Sequence, residues 1–394
     1  MSTEPETEQD AEWEGERETE PGRRVVIWRS AMLPGSETFV RNHGDALTRW
    51  RPAYLGAFRS ESPLSRPDDV IAYPDGAGFL RLRLTGSSPR LTGALAGLRP
   101  DLVHAHFGGD GWLISDSARR LGVPLVVTVH GHDVTRQPRS RGAKGLRYRR
   151  NLRVMFARAA LVVAVSEVIR EQAIRHGADP FRVRVHYTGV PVPAAPPLVT
   201  KRWDVAFVGR FVAKKGVDDL LTALSTMTSP RPRALFIGDG ELLGRMRDRA
   251  AELRVDATFV GSESPAAVHR HLAESRILAA PSKTAPDGDT EGLPTTILEA
   301  AALGVPVAAT RHSGIPEAVV HGETGLLTPE ADPVALAGSL TRLLGDADLR
   351  HRLGTQGRRR VLADFDLREQ SLRLESLYDE VVSGATAHAG RTAG

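Results

Sequence analysis

Short apolar runs alternate with segments of helical spacing along most of this chain. Residues 25–28, 101–105, 125–129 and 160–165 are such runs, and a loop and a helical segment follow them. Runs that are apolar at nearly every position are typical of strands buried on both faces, as in a parallel sheet covered by helices. The alternation therefore predicts an α/β fold.

The same pattern starts again after a proline-rich break. Residues 191–197 contain four prolines in seven positions, which predicts a stiff linker that we place at 191–200. Further strands are expected at 204–208, 234–237, 258–260, 277–280 and 305–309. The chain is thus expected to form two doubly wound, Rossmann-like domains facing a cleft, residues 23–190 and 201–365.

Helices are expected between these strands and at the end of the chain. Their expected ranges are 38–50, 112–121, 167–176, 217–227, 241–253 and 366–383. The last helix either stays with the second domain or crosses back to the first. A disordered tail is expected after it, up to residue 394.

The first 22 residues look unlike the rest of the chain. Residues 1–20 hold nine acidic residues and one basic residue, and they lack the basic start and apolar stretch of a signal peptide. We interpret 1–22 as a disordered acidic tail and expect a cytoplasmic protein. The formal net charge is 52 − 48 = +4, so the remainder carries about +12, which favours anionic ligands or surfaces.

Several function classes are excluded by what the sequence lacks. It contains no cysteine, which excludes disulfides, cysteine-ligated metals and cysteine nucleophiles. The motifs G-x-G-x-x-G, G-x-x-x-x-G-K-[ST] and G-x-S-x-G are also missing. NAD enzymes, P-loop NTPases and α/β-hydrolases therefore fit poorly.

Two glutamates flank the start of a predicted helix in the second domain. Glu291 lies in the loop before the helix and Glu299 two turns inside it, with Thr295 or Thr296 as the expected N-cap. Free amides at a helix start bind phosphate, and the carboxylates could contact a bound diphosphate from two sides. The alternative is a capped core helix with a surface glutamate.

A basic loop follows the first strand of the second domain. In residues 209–216 (GRFVAKKG), Arg210 and Lys215 flank a turn and could both face the cleft, where two cations would neutralise a diphosphate. Lys214 is expected to point elsewhere. The alternative is a solvated basic loop without a ligand.

These segments together resemble a known family. Residues 291–328 (EGLPTTILEAAALGVPVAATRHSGIPEAVVHGETGLLT), with 209–216 before them, closely resemble the retaining glycosyltransferases of family 4. Members have the two-domain GT-B fold and use nucleotide-diphosphate sugars as co-substrates without a metal or other cofactor. Glu291 and Glu299 match the E-x7-E spacing of that family. The resemblance covers roughly residues 25–380.

The resemblance implies roles for individual residues. Glu291 would contact the transferred sugar and Glu299 the ribose, while Arg210 and Lys215 would hold the diphosphate. The catalytic residues implied are His130, Glu291, Arg210 and Lys215. The remaining donor-binding positions implied are Gly35, Ser36, Gly209, Gly238, Val260, Gly261, Gly292, Leu293, Pro294 and Thr295.

The first domain carries two further resemblances. Residues 125–133 resemble the family's strand that ends in an active-site histidine, here His130, which would reach the donor sugar near the reacting carbon. Residues 33–40 resemble the exopolysaccharide, colanic-acid-like branch. Many relatives carry Gly-Gly in this loop, whereas Pro34, Gly35 and Ser36 stand here.

Three groups of residues have the side chains of possible metal ligands. His104 and His106, or His130 with His132 and Asp133, carry ligating groups, although such histidines are more often structural. Asp287-Gly288-Asp289 has the form of the D-x-D metal motif of the other glycosyltransferase fold, and we interpret it as a coincidence.

One segment of the first domain is strongly basic, which is compatible with contact to an anionic surface. Residues 136–158 contain nine basic and no acidic residues, with apolar residues between them. They predict either a solvated helix face or contact with an anionic membrane or lipid-phosphate acceptor. Nucleic acid is not expected as a partner, because no module that recognises it is present.

The sequence thus predicts a glycosyltransferase that moves a sugar to a hydroxyl acceptor in polysaccharide, glycolipid or secondary-metabolite biosynthesis. Two rival functions remain open. One is a nucleotide-sugar epimerase or hydrolase on the same scaffold, and the other is a protein that binds the nucleotide sugar without catalysis.

Overall fold

Two parallel sheets form the framework of the protein. The computed structural model describes residues 22–227 and 231–392. Residues 1–21, which make up nearly all of the acidic tail expected at 1–22, lie outside the described residues. Within the described ranges, no helix is both long enough and apolar enough to span a membrane.

The first sheet has seven strands in the order β3-β2-β1-β4-β5-β6-β7, with all neighbours parallel. Its strands are β1 (Arg24–Met32), β2 (Arg51–Arg59), β3 (Val70–Ile71), β4 (Leu102–His106), β5 (Leu125–Val129), β6 (Leu161–Ala164) and β7 (Val183–Val185). Its helices are α1 (Thr38–Asp45), α2 (Phe79–Thr85), α3 (Pro89–Gly97), α4 (Gly108–Arg120), α5 (Arg136–Arg139), α6 (Gly142–Arg158) and α7 (Glu167–Arg175).

The second sheet has six strands in the order β10-β9-β8-β11-β12-β13, also all parallel. Its strands are β8 (Trp203–Val208), β9 (Ala234–Ile237), β10 (Ala257–Gly261), β11 (Ser275–Ala280), β12 (Val307–Thr310) and β13 (Gly325–Thr328). The remaining helices are α8 (Val217–Thr226), α9 (Leu243–Glu252), α10 (Pro265–Ala273), α11 (Thr295–Ala302), α12 (Ile315–Ala318), α13 (Pro333–Gly345), α14 (Ala347–Asp364) and α15 (Leu367–Thr392).

Both faces of each sheet are packed, which explains the near-continuous apolar runs. In β1, Val26 and Trp28 belong to one apolar cluster, whereas Val25 and Ile27 belong to the cluster on the opposite face. Successive side chains of a strand point to opposite faces, so a sheet covered on both sides needs apolar residues at every position. The prediction of doubly wound α/β domains is confirmed.

Two helices differ most from their expected ranges. The helix expected at 38–50 ends at Asp45, because the chain turns there toward strand β2. The final helix, expected to end near 383, continues to Thr392 as α15, and residues 393–394 of the expected tail lie outside the described residues. Strand β2 and helices α2 and α3 were not assigned from the sequence.

The two crossings between the domains lie side by side. The backbone amide of Val190 donates to the carbonyl of Phe365 at 2.9 Å, and the amide of Leu367 donates to the carbonyl of Val190 at 3.0 Å. The linker that follows Val190 has no helix or strand. Paired crossings of this kind provide a single narrow place about which one domain can rotate.

Helix α15 packs against the first domain. Its buried Glu375 accepts hydrogen bonds from the backbone amides of Thr48, Arg49 and Trp50, at 2.6–3.0 Å. The hydroxyl of Tyr378 lies 2.6 Å from Nδ1 of His104 at the centre of the first sheet. The end of the chain therefore contributes to the core of the domain in which the chain begins.

Candidate active site

The strand order reverses at one place in each sheet, and the candidate site is built there. The first sheet reverses between β1 and β4, and the second between β8 and β11. Ligands of doubly wound sheets bind beyond the carboxyl ends of the strands at such points. The loops that leave these four strands carry most of the residues that the sequence singled out.

The two domains touch where His130 meets the loop of Glu291. A Cβ atom on Gly292 would lie 1.9 Å from the carbonyl oxygen of His130, and one on Gly131 would lie 3.3 Å from the amide nitrogen of Gly292. Glycine is therefore required at position 292 for this close approach. The contact brings two predicted catalytic residues, His130 and Glu291, to one cleft from opposite domains.

Glu291 is buried and ion-paired. Its Oε1 lies 2.9 Å from Nζ of Lys215 and accepts a hydrogen bond from the hydroxyl of Ser282 at 3.3 Å. Burial by itself raises the pKa of Glu291, but the charges of Lys215 and Lys214 outweigh that effect and lower the pKa to about 2. Glu291 is therefore a carboxylate at every physiological pH.

Lys214 does not point away, contrary to expectation. It is buried, and its ammonium donates to Oδ1 of Asp289 at 3.2 Å and to the carbonyl of Thr290 at 3.0 Å. The reason is a 3-10 turn at Ala213–Lys215 that presents both lysines to the loop before α11. The two neighbouring lysines hold opposite ends of the segment from Asp289 to Glu291.

Arg210 is exposed at the same edge of the second sheet. Among the described residues it makes no ion pair. The carboxyl ends of β8, β9 and β10 meet beside it at glycines, where a Cβ on Gly238 would lie 2.0 Å from the carbonyl oxygen of Gly209. The amide of Gly238 donates to the carbonyl of Gly261 at 2.7 Å. These loops form a backbone surface that a flat ligand can approach closely.

Helix α11 begins without the expected cap. Its N-cap is Pro294, and no side chain accepts from the first turn, so the expectation that Thr295 or Thr296 caps the helix was wrong. Leu293 and Pro294 are buried, which holds the entry loop in place. A helix start without a side-chain cap leaves amides available to an anion, which suits the phosphate-binding interpretation.

Glu299 differs from Glu291 in its surroundings. It is half-buried, and no hydrogen bond or ion pair to its carboxyl group occurs among the described residues. Burial raises its pKa to about 7. The two glutamates of the pair therefore have pKa values shifted in opposite directions, which is typical of functional sites.

His312 and Glu330 were not singled out from the sequence. His312 is buried, and its Nε2 accepts from the backbone amide of Glu291 at 3.0 Å, while its Nδ1 lies 2.7 Å from Oε1 of Glu330. Because Nε2 accepts, the proton of the neutral ring sits on Nδ1. The hydroxyl of Ser313 also donates to the carbonyl of Glu291 at 2.6 Å. No local motif marks these contacts, since they join residues about 20 positions apart.

On the other wall of the cleft His130 lies in an aromatic cluster. Its Nε2 is 3.0 Å from Nδ1 of His106, and its ring centre lies 4.8 Å from Phe39 and 4.5 Å from Phe107. Burial, with the nearby charge of Arg29, keeps the pKa of His130 well below its usual value. A neutral imidazole results, which can donate or accept one hydrogen bond to a sugar hydroxyl.

The loop of Gly35 and Ser36 is exposed, but it begins beside a buried ion network. Arg29 donates to Glu37 at 2.7 Å through Nε and also contacts Asp110, and its guanidinium lies 4.4 Å from the ring centre of Phe107. Asp110 in turn accepts from the backbone amide of Ser30 at 2.7 Å. This network was missed because its three charged residues lie on a strand, in a loop and in the first turn of a helix, and single charges so far apart in the chain give no pattern in the sequence.

Most of the residues considered as possible metal ligands form ion pairs or hydrogen bonds with other side chains of this protein. Asp287 is paired with Arg136 at 2.7 Å, and Asp289 with Lys214. His104 lies between Tyr378 and Thr128, with 2.6 and 2.7 Å to its two ring nitrogens. Within the described residues, no group of three or more metal-ligating side chains is placed to hold an ion.

Comparison with known proteins agrees with this architecture. The family model for Glyco_transf_4, described as "Glycosyltransferase Family 4", matches residues 35–192, and that for "Glycosyl transferases group 1" matches residues 193–360. An amylovoran biosynthesis glycosyltransferase (AmsK) of Erwinia amylovora is 30% identical over 63% of this chain and 63% of its own length. A putative colanic acid biosynthesis glycosyltransferase (WcaL) of Salmonella typhimurium is 29% identical over 71% of both chains.

Solved structures show the same fold. Sucrose-phosphate synthase of Thermosynechococcus elongatus superposes with a TM-score of 0.74 at 20% identity, over 92% of this chain and 100% of that one. HepE of Anabaena, solved in complex with UDP-glucose, superposes with a TM-score of 0.73 at 19% identity, over 91% and 99% of the chains. With the two family models covering residues 35–360, this chain belongs to the family 4 glycosyltransferases and has their GT-B fold.

Proposed function

We propose that this glycosyltransferase takes a sugar from a nucleotide-diphosphate sugar and transfers it to a hydroxyl acceptor with retention of the anomeric configuration. One observation carries the proposal. Glu291, ion-paired to Lys215 at 2.9 Å, meets His130 of the opposite domain beside the uncapped start of α11. A carboxylate, a neutral imidazole and a cationic phosphate site then face one sugar-phosphate bond.

The second domain would bind the donor. The diphosphate lies at the start of α11, with Lys215 and Arg210 as its cations, and Glu299 accepts from the ribose hydroxyls. The loops of Gly209, Gly238 and Gly261 approach the nucleotide. Support comes from their position at the strand reversal of the second sheet and from HepE, whose structure contains UDP-glucose.

The reaction breaks the bond between the anomeric carbon and the diphosphate oxygen, and it forms a bond from that carbon to the acceptor oxygen on the same face. The acceptor proton passes to the leaving phosphate oxygen. Negative charge that grows on the diphosphate is stabilised by Lys215, Arg210 and the helix dipole. Positive charge that grows on the sugar is stabilised by the Glu291 carboxylate, and His130 orients the sugar.

No metal or other cofactor enters this scheme. The cations of Arg210 and Lys215 take the role that a metal ion has in other sugar transfers. Rotation of the domains about the paired crossings at Val190 and Phe365 would exclude water and limit hydrolysis of the donor.

We propose a role in polysaccharide or glycolipid biosynthesis, in the cytoplasm and at the inner face of the cell membrane. Two relatives, which are named as glycosyltransferases of amylovoran and colanic acid biosynthesis, support the polysaccharide assignment. The acceptor would be a sugar, lipid-linked or small-molecule hydroxyl bound mainly by the first domain.

A panel of nucleotide-diphosphate sugars, followed by product analysis, tests the proposal. The true donor at 100 times its Kd should stabilise the fold by about 2.7 kcal/mol, seen as a raised Tm. NMR of the product should show the anomeric configuration of the donor. An inverted product would contradict retention. Sugar release or epimerisation without any acceptor dependence would favour the rival enzyme, and binding without turnover the non-catalytic protein.

A further inference from the structure

Helix α2 exposes leucines where a solvated helix would carry polar residues. Leu80 and Leu84 are 67% and 57% exposed, and they lie four residues apart, on one side of the helix. Leu82 is buried and anchors the helix to the first domain. Arg81 and Arg83 are exposed beside the two leucines. The outward side of α2 therefore combines apolar and basic side chains.

Helix α6 continues this surface. Leu146 is 64% exposed, and Arg147, Arg150 and Arg153 are exposed along the same side of the helix at intervals of three residues. The inward side, by contrast, buries Leu152, Met155 and Phe156 in the core. The packing thus leaves the basic side of the helix to the solvent.

A hydrogen bond joins the two helices. The guanidinium of Arg147 on α6 donates to the backbone carbonyl of Arg83 on α2. Leu146 and Leu84 are the immediate chain neighbours of these two residues. The three exposed leucines of α2 and α6 therefore belong to one surface, which we call the leucine–arginine surface (Leu80, Arg81, Arg83, Leu84, Leu146, Arg147, Arg150 and Arg153).

The charge of this surface has one sign. The sequence contains no acidic residue between Asp75 and Asp101, and none between Asp133 and Glu167. Both helices lie inside these stretches. A surface with this charge is complementary to an anionic partner, and its exposed leucines would be favourable only where the partner also offers an apolar layer.

The helix that precedes α6 lies at the rim of the cleft. Helix α5 precedes α6 in the chain, and its Arg136 is paired with Asp287 of the second domain at 2.7 Å. Gly288, next to Asp287, lies against the Arg139 side chain of the same helix. An acceptor held at the surface would therefore enter the cleft along the first domain, on the side of His130.

We propose that the leucine–arginine surface docks on an anionic phospholipid bilayer, with Leu80, Leu84 and Leu146 inserted among the headgroups and the arginines paired with lipid phosphates. This deepens the membrane contact named in the proposed function, on which it rests. Two signals, apolar and basic, are what stable and reversible attachment to a bilayer requires.

Co-sedimentation with vesicles tests the proposal on the full chain. The protein should bind vesicles of phosphatidylglycerol and phosphatidylcholine, should bind pure phosphatidylcholine much more weakly, and should lose affinity as salt rises. The triple variant Arg81→Gln/Arg150→Gln/Arg153→Gln should bind about a hundredfold more weakly. The matched control Arg342→Gln/Arg352→Gln/Arg359→Gln removes the same charge from exposed positions of α13 and α14 and should bind like the wild type.

The leucines are tested separately. Leu80→Ser/Leu84→Ser/Leu146→Ser should weaken binding by about tenfold or more and should remove the part that persists at high salt. Its control, Phe181→Ser/Leu198→Ser/Val334→Ser, changes apolar residues elsewhere that are more exposed than the three leucines, and it should leave vesicle binding unchanged. Circular dichroism and Tm keep misfolding apart from a loss of binding.

Several results would overturn the proposal. They are equal binding to neutral and anionic vesicles, surface variants that behave like their controls, or tight binding of an RNA or DNA oligonucleotide with no vesicle binding. Its failure is distinguishable from that of the proposed function, because none of these variants touches the donor site. Turnover of a soluble donor should be unchanged in all of them, whereas vesicle binding without any donor turnover would contradict only the sugar transfer.

Discussion

The two walls of the cleft differ in the polar groups that they present where Glu291 and His130 approach each other. The second domain buries charges in pairs, Lys215 with Glu291 and Lys214 with Asp289. The first domain presents to the cleft a neutral imidazole, His130, packed against aromatic rings. In the proposed function, paired charges suit a diphosphate whose charge grows during reaction, while a neutral imidazole suits a sugar that must be oriented. On that proposal, electrostatic stabilisation and positioning are divided between the domains.

The largest expected effect is an acid sensitivity that is greatest in the first domain. Burial lowers the pKa values of His43 and His104 to about 3 and that of His186 to about 4. The unfolded chain therefore binds protons below pH 6.5 that the folded chain does not, and stability is lost as the pH falls from 6.5 toward 4. The loss by pH 5 is of the order of 2 kcal/mol for each histidine.

Chemical unfolding between pH 7 and 5 measures this loss. His104→Asn should flatten the pH dependence, whereas replacement of the exposed His351 should not. Hydrogen exchange should show that the first sheet opens before the second at pH 5. If the second sheet opened first, the assignment of the two walls to neutral and charged groups would lose its support.

Next in size is the effect of Lys215→Ala on turnover. One charge-assisted contact to the leaving diphosphate contributes on the order of 3 kcal/mol in the transition state, so kcat/KM should fall about a hundredfold. Arg210→Ala should behave alike, and the double variant should lose less than the sum because both cations act on one diphosphate. Steady-state kinetics measure the effect, and the Tm of each variant shows whether it is folded. A Lys215→Ala enzyme with wild-type kcat/KM would contradict the proposed phosphate site.

The adjacent lysine is tested with the variant Lys214→Ala, for which the free energy of unfolding is measured. Removing the lysine leaves the buried Asp289 unpaired, which should cost about 2 kcal/mol. This is less than is typical of fully buried pairs, since these side chains keep 8 and 10% of their surface exposed. The double variant Lys214→Ala/Asp289→Ala should recover part of the loss. A Lys214→Ala protein with normal stability and a hundredfold lower kcat would exchange the roles of the two lysines.

A smaller effect is expected at Glu299. Burial raises its pKa to about 7, so the carboxyl group is largely protonated at pH 6 and largely ionised at pH 8. If the carboxylate accepts from the ribose hydroxyls, donor affinity should rise several-fold across this interval. Titration calorimetry of wild type and Glu299→Gln gives the test. A rise that persists in Glu299→Gln would assign the titration to another group.

The smallest effect expected is that of a strong chelator, which should leave turnover unchanged. Asp287 and Asp289 already pair with Arg136 and Lys214, and in the proposed function cations of the chain bind the diphosphate. Activity that is lost in EDTA and restored by manganese or magnesium would indicate that these two aspartates bind a metal ion. It would also weaken the contrast between the paired charges of the second domain and the neutral imidazole of the first.

The local motifs were sufficient for the architecture and for the family. Strand burial follows from apolar residues at every position of a short run, and the Glu291–Glu299 spacing is a property of one loop and one helix turn. Both depend on near neighbours in the chain, so they can be read without coordinates. The assignments of Lys214 and of the Thr295 cap were wrong because the direction of a side chain depends on how its turn packs against a distant loop.

The sequence by itself thus determined two α/β domains, the family, and the segments that line the cleft, because periodicity and short motifs encode them. Only the tertiary structure decided how His312 and Glu330 hold Glu291, how Arg29 joins Glu37 and Asp110, and that Leu80 and Leu84 face outward. These features arise from contacts between residues far apart in the chain and from which face of each helix the core covers. Neither the long-range contacts nor the buried face of a helix can be predicted from a local sequence pattern, because each depends on the free energy of the whole packed domain.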